Sequence, residues 1–193
     1  PTPEIQLRIL HYQWGQALQA YTTSAFDAAC MSTNTPGEIV VSGGHVLSGY
    51  VNGRGDEETK FRVDTVIWHR TGDMGYLDAQ GRLWLLGRCA ARVKDQHGTL
   101  YPFTVECAIS AYPAIRRSAA AAFHEQRILA LELEEHVPSP DLQAIRQSVA
   151  WASFDAIRIY KHLPVDKRHN AKIDYPALRQ LLEADVSART IAK

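Results

Sequence analysis

The 193-residue chain predicts an α+β fold, with a small β-barrel-like subdomain followed by a compact α+β unit. Two observations carry this. Up to about Leu86, short apolar runs are separated by Gly, Asn, Pro and Asp, which is the signature of strands and tight turns. Beyond Arg88, segments of helical spacing alternate with apolar strand-like runs. At 46% hydrophobic and 22% charged residues, the composition is that of an ordinary globular chain able to bury a core.

Taken in order, the strands predicted in the first part are Glu4–Leu10, Gly37–Ser42, Thr65–Trp68, Met74–Leu77 and Leu83–Leu86. Gly72-Asp73 is read as a turn, and Asp78-Ala79-Gln80-Gly81 as the turn of a hairpin. Residues Gly15–Asn34 carry no clean period and read as a loop with a short helix. In the second part, Ala91–Gln96 and Thr99–Tyr101 form a hairpin turning at His97-Gly98. Pro102 opens a helix running to Tyr112. Arg116–Phe123 and Arg127–Glu134 follow as strands. The second alternates less cleanly than a solvent-facing strand would. Ser139 and Pro140 mark the start of a helix through Leu142, Ile145, Val149 and Trp151. Ala156–Tyr160 is a strand, Val165–Lys172 an exposed loop, and Tyr175–Asp185 a closing helix with Leu178, Leu181 and Leu182 on one face. The composition change near Arg88 divides the chain into residues 1–88 and 89–193.

Charge excludes little but is informative. Lys plus Arg number 21 and Asp plus Glu 21, so no net field holds a nucleic acid or a membrane surface. No apolar run approaches the roughly 18 residues of a membrane span. Cys30, Cys89 and Cys107 show no metal-ligand spacing and leave an odd thiol, which suits a reducing cytoplasm; all three read as small buried hydrophobes. The eight histidines show no zinc spacing, and no metal site is expected. Trp14, Trp68, Trp84 and Trp151 read as core, and Glu132, Glu134 and Glu135 as a strand end in solvent. Pro1-Thr2-Pro3 leads straight into a strand, which reads as a chain beginning within a longer protein.

Two segments carry chemistry. In Trp68-His69-Arg70-Thr71-Gly72-Asp73, a carboxylate fixed beside glycine can accept hydrogen bonds from two adjacent sugar hydroxyls. In Leu163-Pro164-Val165-Asp166-Lys167-Arg168-His169-Asn170-Ala171-Lys172-Ile173, a compact cation on a loop can neutralise charge that develops on a substrate. Read alone, each is more often structural. In this order they resemble the adenylate-forming superfamily of acyl- and aryl-CoA synthetases, luciferases and peptide-synthetase adenylation domains. The resemblance takes in the aromatic-x-Arg-Thr-Gly-Asp run, the Asp78 to Gly81 hairpin and Gly87-Arg88, and it covers essentially the whole chain, most securely from Gly37.

The resemblance implies roles. Asp73 and Arg88 would bind the nucleotide, and Lys172 would be the catalytic lysine, supported by Arg168, His169 and Asn170. Ala90 stands at the hinge, where the family usually has Asp or Lys. Arg92, Lys94 and Gly98 match the block used in the second half-reaction, but Thr99-Leu100-Tyr101-Pro102 replaces the usual continuation that lines the thiol channel. Residues 1–88 would be the β-rich end of a large N-terminal domain, and 89–193 the mobile C-terminal domain. ATP or AMP and Mg2+ would be used by the intact enzyme, with acyl substrate and ATP reached through an N-terminal region whose phosphate loop and magnesium ligand do not occur here. The chain alone would hold none of them tightly.

Arg168-His169-Asn170-Ala171-Lys172-Ile173, with Trp68-His69-Arg70 and Gly98-Thr99-Leu100-Tyr101, looks most similar to the bacterial β-lactone synthetases of olefin biosynthesis. That branch implies a β-hydroxy fatty acid whose own hydroxyl displaces AMP, a reaction needing no thiol. A fatty-acyl-CoA or fatty-acyl-AMP ligase is the alternative within the superfamily. A non-catalytic binding module that keeps the fold is the alternative outside it.

Overall fold

The computed structural model describes residues 4–166, 172–184 and 189–191, and they fall into two compact units, Pro1–Ala90 and Ala91–Lys193. The first unit contains β1 (Ile5–Leu10), α1 (Thr23–Ala29), β2 (Gly37–Gly43), the one-turn α2 (Asp56–Thr59), β3 (Lys60–Val63), β4 (Val66–Leu77) and β5 (Leu83–Arg88). Every strand pairing is antiparallel. The sheet runs β1-β2-β4-β3, with β5 also on β4. This open path corrects the expected barrel-like closure. The cause is the length of β4: its first residues pair with β3 and its last with β5 on one edge, so the sheet branches instead of curling shut. The unit's core gathers Leu10, Phe26, Val40, Phe61, Val63 and Trp68, with the Phe26 and Trp68 rings 4.7 Å apart.

A second correction concerns Gly72-Asp73, which is not a turn but lies inside β4. Burial alternates along that strand, with Trp68, Arg70, Gly72 and Met74 buried and His69, Thr71 and Asp73 half-buried, as the two-residue period of a strand requires. Gly72 takes φ of 73°, so the backbone kinks without breaking the strand. Sequence periodicity also misses α2 and β3, each only four residues long. The hairpin at Asp78–Gly81 forms as expected: the Asp78 carboxylate accepts from Gln80 N, Arg82 N, Arg82 Nε and Trp84 Nε1. These donors, Trp84 first, hold it far below the usual carboxylate range.

The second unit starts with the hairpin β6 (Val93–Asp95) and β7 (Gly98–Leu100), then α3 (Pro102–Ile109), β8 (Ile115–Phe123), β9 (Gln126–Leu133), α4 (Leu142–Ser148), β10 (Ala156–Tyr160), α5 (Tyr175–Ala184) and β11 (Arg189–Ile191). Its sheet runs β11-β10-β9-β8. The β9–β10 pair is parallel, so α4 serves as the crossover between them. Both faces of the sheet are covered. Leu129 and Leu131 point to a core shared with Val105, Ile109 and Ile145 of α3 and α4. Ile128 and Ala130 point to one shared with Leu178 and Leu182 of α5. Burial of each such Leu or Ile stabilises by roughly 1.5–3 kcal/mol, and two-sided burial explains the blurred alternation in the sequence.

Several expectations are revised here. Asp141, not Ser139, caps α4; its carboxylate accepts from Gln143 N and Ala144 N, which leaves Pro140 before the cap. Glu132 is not in solvent but 1% exposed, because its carboxylate accepts from Arg117 Nη1 at 2.9 Å and Leu163 N at 2.8 Å. Cys107 is exposed and Cys30 half-buried; only Cys89 is buried. Of the tryptophans, Trp68 is core, whereas Trp84 and Trp151 are 49% and 56% exposed.

Candidate nucleotide and lysine sites

Asp73 and Arg88 are directly opposite each other on β4 and β5, so the sheet register itself brings the two expected nucleotide ligands together. Arg88 Nη1 lies 3.1 Å from Asp73 Oδ1 and donates to Thr71 O at 3.3 Å. The side chains are 49% and 30% exposed, so the pair contributes at most about 1 kcal/mol to stability. Its importance is placement, since a carboxylate can accept up to about four hydrogen bonds. Thr71 sets the strand around it: its hydroxyl donates to Ile39 O at 2.9 Å and accepts from Asp73 N at 3.1 Å.

Beneath them sits a buried ion pair. Arg70 Nε and Nη2 donate to the two Glu38 oxygens at 2.8 and 2.7 Å, and Nη1 reaches Gln16 O at 2.6 Å. Arg70 and Glu38 are 1% and 0% exposed. The Arg70 guanidinium also stacks on Trp14, 5.3 Å from its ring centre. The same Trp14 ring closes over Gly72, where an added Cβ would lie 2.9 Å from Cη2. Arg70, Glu38 and Trp14 therefore fix the strand that presents Asp73. Strand alternation, which groups Arg70 with Trp68 and Met74, is the signal that could have found this support.

In the second unit, Lys172 is exposed beside a short bridge. Val165 and Ile173 form a bridge, Asp166 N donates to Lys172 O at 2.9 Å, and Asp174 N donates to Pro164 O at 3.0 Å. Asp174 then caps α5, accepting from Ala177 N at 3.0 Å. Arg168, His169 and Asn170 lie outside the described residues. Arg92 is half-buried, and Lys94 and Gly98 are exposed on the β6–β7 hairpin. That hairpin is clamped by Arg127, which donates to both Asp95 oxygens at 2.6 Å, to Gly98 O at 3.0 Å and to Ala152 O at 2.8 Å. The Arg127 guanidinium holds Asp95 below the usual carboxylate range. Ala90 is exposed in a single 3-10 turn, Cys89–Ala91.

Among the described residues, no three His, Cys, Asp or Glu side chains converge as metal ligands, and no helix is long and apolar enough to cross a membrane. Two hollows measure about 190 Å³, against Arg146 and Phe154, and about 210 Å³, against Trp14 and Gln16. Both are smaller than the roughly 300–1,000 Å³ of small-molecule pockets.

These features define a mixed α/β fold, and solved structures share it. The O-succinylbenzoate coenzyme A synthetase of Bacillus subtilis, determined in complex with AMP, superposes with a TM-score of 0.73 at 22% identity, over 98% of this chain and 35% of that one. No family model matches the chain. Among curated proteins, the olefin β-lactone synthetase of Stenotrophomonas maltophilia is 34% identical over 178 residues, 84% of this chain and 32% of that protein. The 2-succinylbenzoate–CoA ligase of Enterococcus faecalis is 41% identical over 83 residues, 43% of this chain and 16% of that protein. The chain belongs to the adenylate-forming ligase superfamily. It spans about a third or less of the length of these relatives, a share that fits their C-terminal portion.

Proposed function

We propose that this chain is the C-terminal part of an ATP-dependent, AMP-forming ligase that activates a carboxylic acid. The observation that carries the reading is the cross-strand Asp73–Arg88 pair, 3.1 Å apart, in a chain that also presents Lys172 on a braced turn. Residues 1–88 are the β-rich end of the large domain and 89–193 a mobile domain hinged near Arg88–Ala90. Asp73 accepts the ribose hydroxyls, with Arg88 orienting its carboxylate and contacting the nucleotide. Lys172 binds the substrate carboxylate and neutralises charge developing on the α-phosphate, an electrostatic role that ammonium fills well. Arg168, His169 and Asn170 support that turn, while Arg92, Lys94 and Gly98 act in the second half-reaction. Mg2+ and the phosphate loop belong to the region outside this chain, so the chain alone is inactive, and the whole enzyme is cytoplasmic.

The substrate is a fatty acid bearing a β-hydroxyl. The carboxylate attacks the α-phosphate and releases pyrophosphate. The hydroxyl then attacks the acyl carbonyl, loses its proton and expels AMP, closing a β-lactone. The identity to an olefin β-lactone synthetase over most of the chain supports this branch. Two measurements test the reading. Mass spectrometry of the intact protein's product with ATP, a β-hydroxy fatty acid and coenzyme A should give lactone; acyl-CoA or free acyl-AMP would overturn the branch. Lys172→Ala should lower acid-dependent pyrophosphate exchange by a factor of about 10² or more, the usual loss for removing a charge-stabilising group, with an unchanged circular dichroism spectrum. Normal exchange would overturn the lysine assignment.

A further inference from the structure

We propose that Tyr175 is a positioning residue for Lys172: its hydrogen bond to Glu106 ties the lysine-bearing turn to helix α3. The proposal rests on the reading of Lys172 given above and extends it to the residues that aim the side chain. Tyr175 OH donates to Glu106 Oε1 at 2.5 Å across 69 residues of sequence. Tyr175 is three residues beyond Lys172, and the short run between them is held on both sides. Ile173 bridges back to Val165, and both Ile173 and Tyr175 lean on the core beneath α5.

Glu106 sits on a helix whose inner face is fully buried. On α3, Val105 and Ile109 are 0% exposed, buried in the core on the opposite face of the sheet. The bond therefore spans the two cores of the unit and fixes the start of α5 relative to α3. Burial, and then the neighbouring Glu106 carboxyl, push the Tyr175 phenol well above its ordinary range, so the phenol keeps its proton and remains the donor. The incoming side of the loop has its own brace, Leu163 N on the buried Glu132 carboxylate at 2.8 Å. With Tyr175 the outgoing side is braced as well, and a long lysine chain needs both if its ammonium is to arrive within the fraction of an ångström that efficient catalysis demands.

Amide hydrogen exchange on this chain reads the joint directly. The Asp166 and Asp174 amides close the turn on Lys172 O and Pro164 O. In Tyr175→Phe they should exchange at least tenfold faster, while the Leu129 amide in β9 is unchanged. Glu106→Gln keeps an acceptor and should behave as wild type; Glu106→Ala should behave as Tyr175→Phe. In the intact ligase, Tyr175→Phe should lower kcat for pyrophosphate exchange about tenfold with KM for ATP within twofold, and should add no further loss to Lys172→Ala. Unchanged Asp166 and Asp174 exchange in Tyr175→Phe overturns the proposal. So does normal kcat in Tyr175→Phe beside an inactive Lys172→Ala, and that result leaves the lysine assignment standing. Normal activity in Lys172→Ala instead overturns the lysine assignment, and this proposal with it.

Discussion

The two units hold their functional candidates in opposite ways. In the first, Asp73 and Arg88 belong to adjacent strands, and backbone register alone sets them opposite each other. In the second, Lys172 lies outside any helix or strand, and side-chain bonds from distant parts of the chain fix its turn. The pair proposed to hold the nucleotide is built into a sheet; the lysine proposed to act on the substrate stands between a strand and a helix.

The contrast predicts where each unit is fragile. The largest effect is expected at the buried ion pair of Arg70 on β4 and Glu38 on β2. Glu38→Ala leaves the Arg70 charge buried without its partner, at a cost of about 3–5 kcal/mol. Urea unfolding followed by tryptophan fluorescence should show the loss, and a change below about 1 kcal/mol would mean that water reaches Arg70. Next comes Gly72→Ala. With φ of 73° and the Trp14 ring 2.9 Å from the new methyl, strain of about 1–3 kcal/mol is expected; on the role proposed for Asp73, its displacement should also weaken nucleotide binding by the intact ligase in calorimetry. In the second unit, Asp141→Ala removes the α4 cap and should destabilise by about 1 kcal/mol. A thermal midpoint equal to wild type would show that the cap contributes nothing.

The smallest effect depends on pH. Burial raises the Glu106 carboxyl above its ordinary value of 4.5. The stability this group contributes is present below that value and is lost as pH rises through the folded-state value. Glu106→Gln removes the ionisation and keeps an acceptor, so the variant should gain on wild type at pH 7 relative to pH 4. Equal urea midpoint differences at the two pH values would contradict this.

Sequence reading went furthest where structure is local. The Asp78 hairpin, the Pro102 helix start and the strand on either side of Asp73 follow from turn chemistry and short-range periodicity. The break assumed at Gly72-Asp73 failed because a glycine at positive φ can bend a strand without ending it. The buried state of Glu132 was hidden, since its partners Arg117 and Leu163 lie 15 and 31 residues away. Tyr175 and Glu106 were hidden for the same reason. The α4 cap was misassigned to Ser139 because Ser, Pro and Asp crowd that start, and only geometry shows which side chain reaches the free amides.

Arg127 has one more consequence. It anchors in β9, and its guanidinium reaches the tip of the β6–β7 hairpin and the 3-10 turn Ala150–Ala152. Re-aiming the hairpin alone would break the bonds to Asp95 and Gly98, three of the four that Arg127's side chain makes among the described residues. The hairpin and the sheet of the second unit are thus geared together, and Lys94 keeps its place relative to β9. One buried arginine makes the hairpin a fixed arm of the sheet behind it.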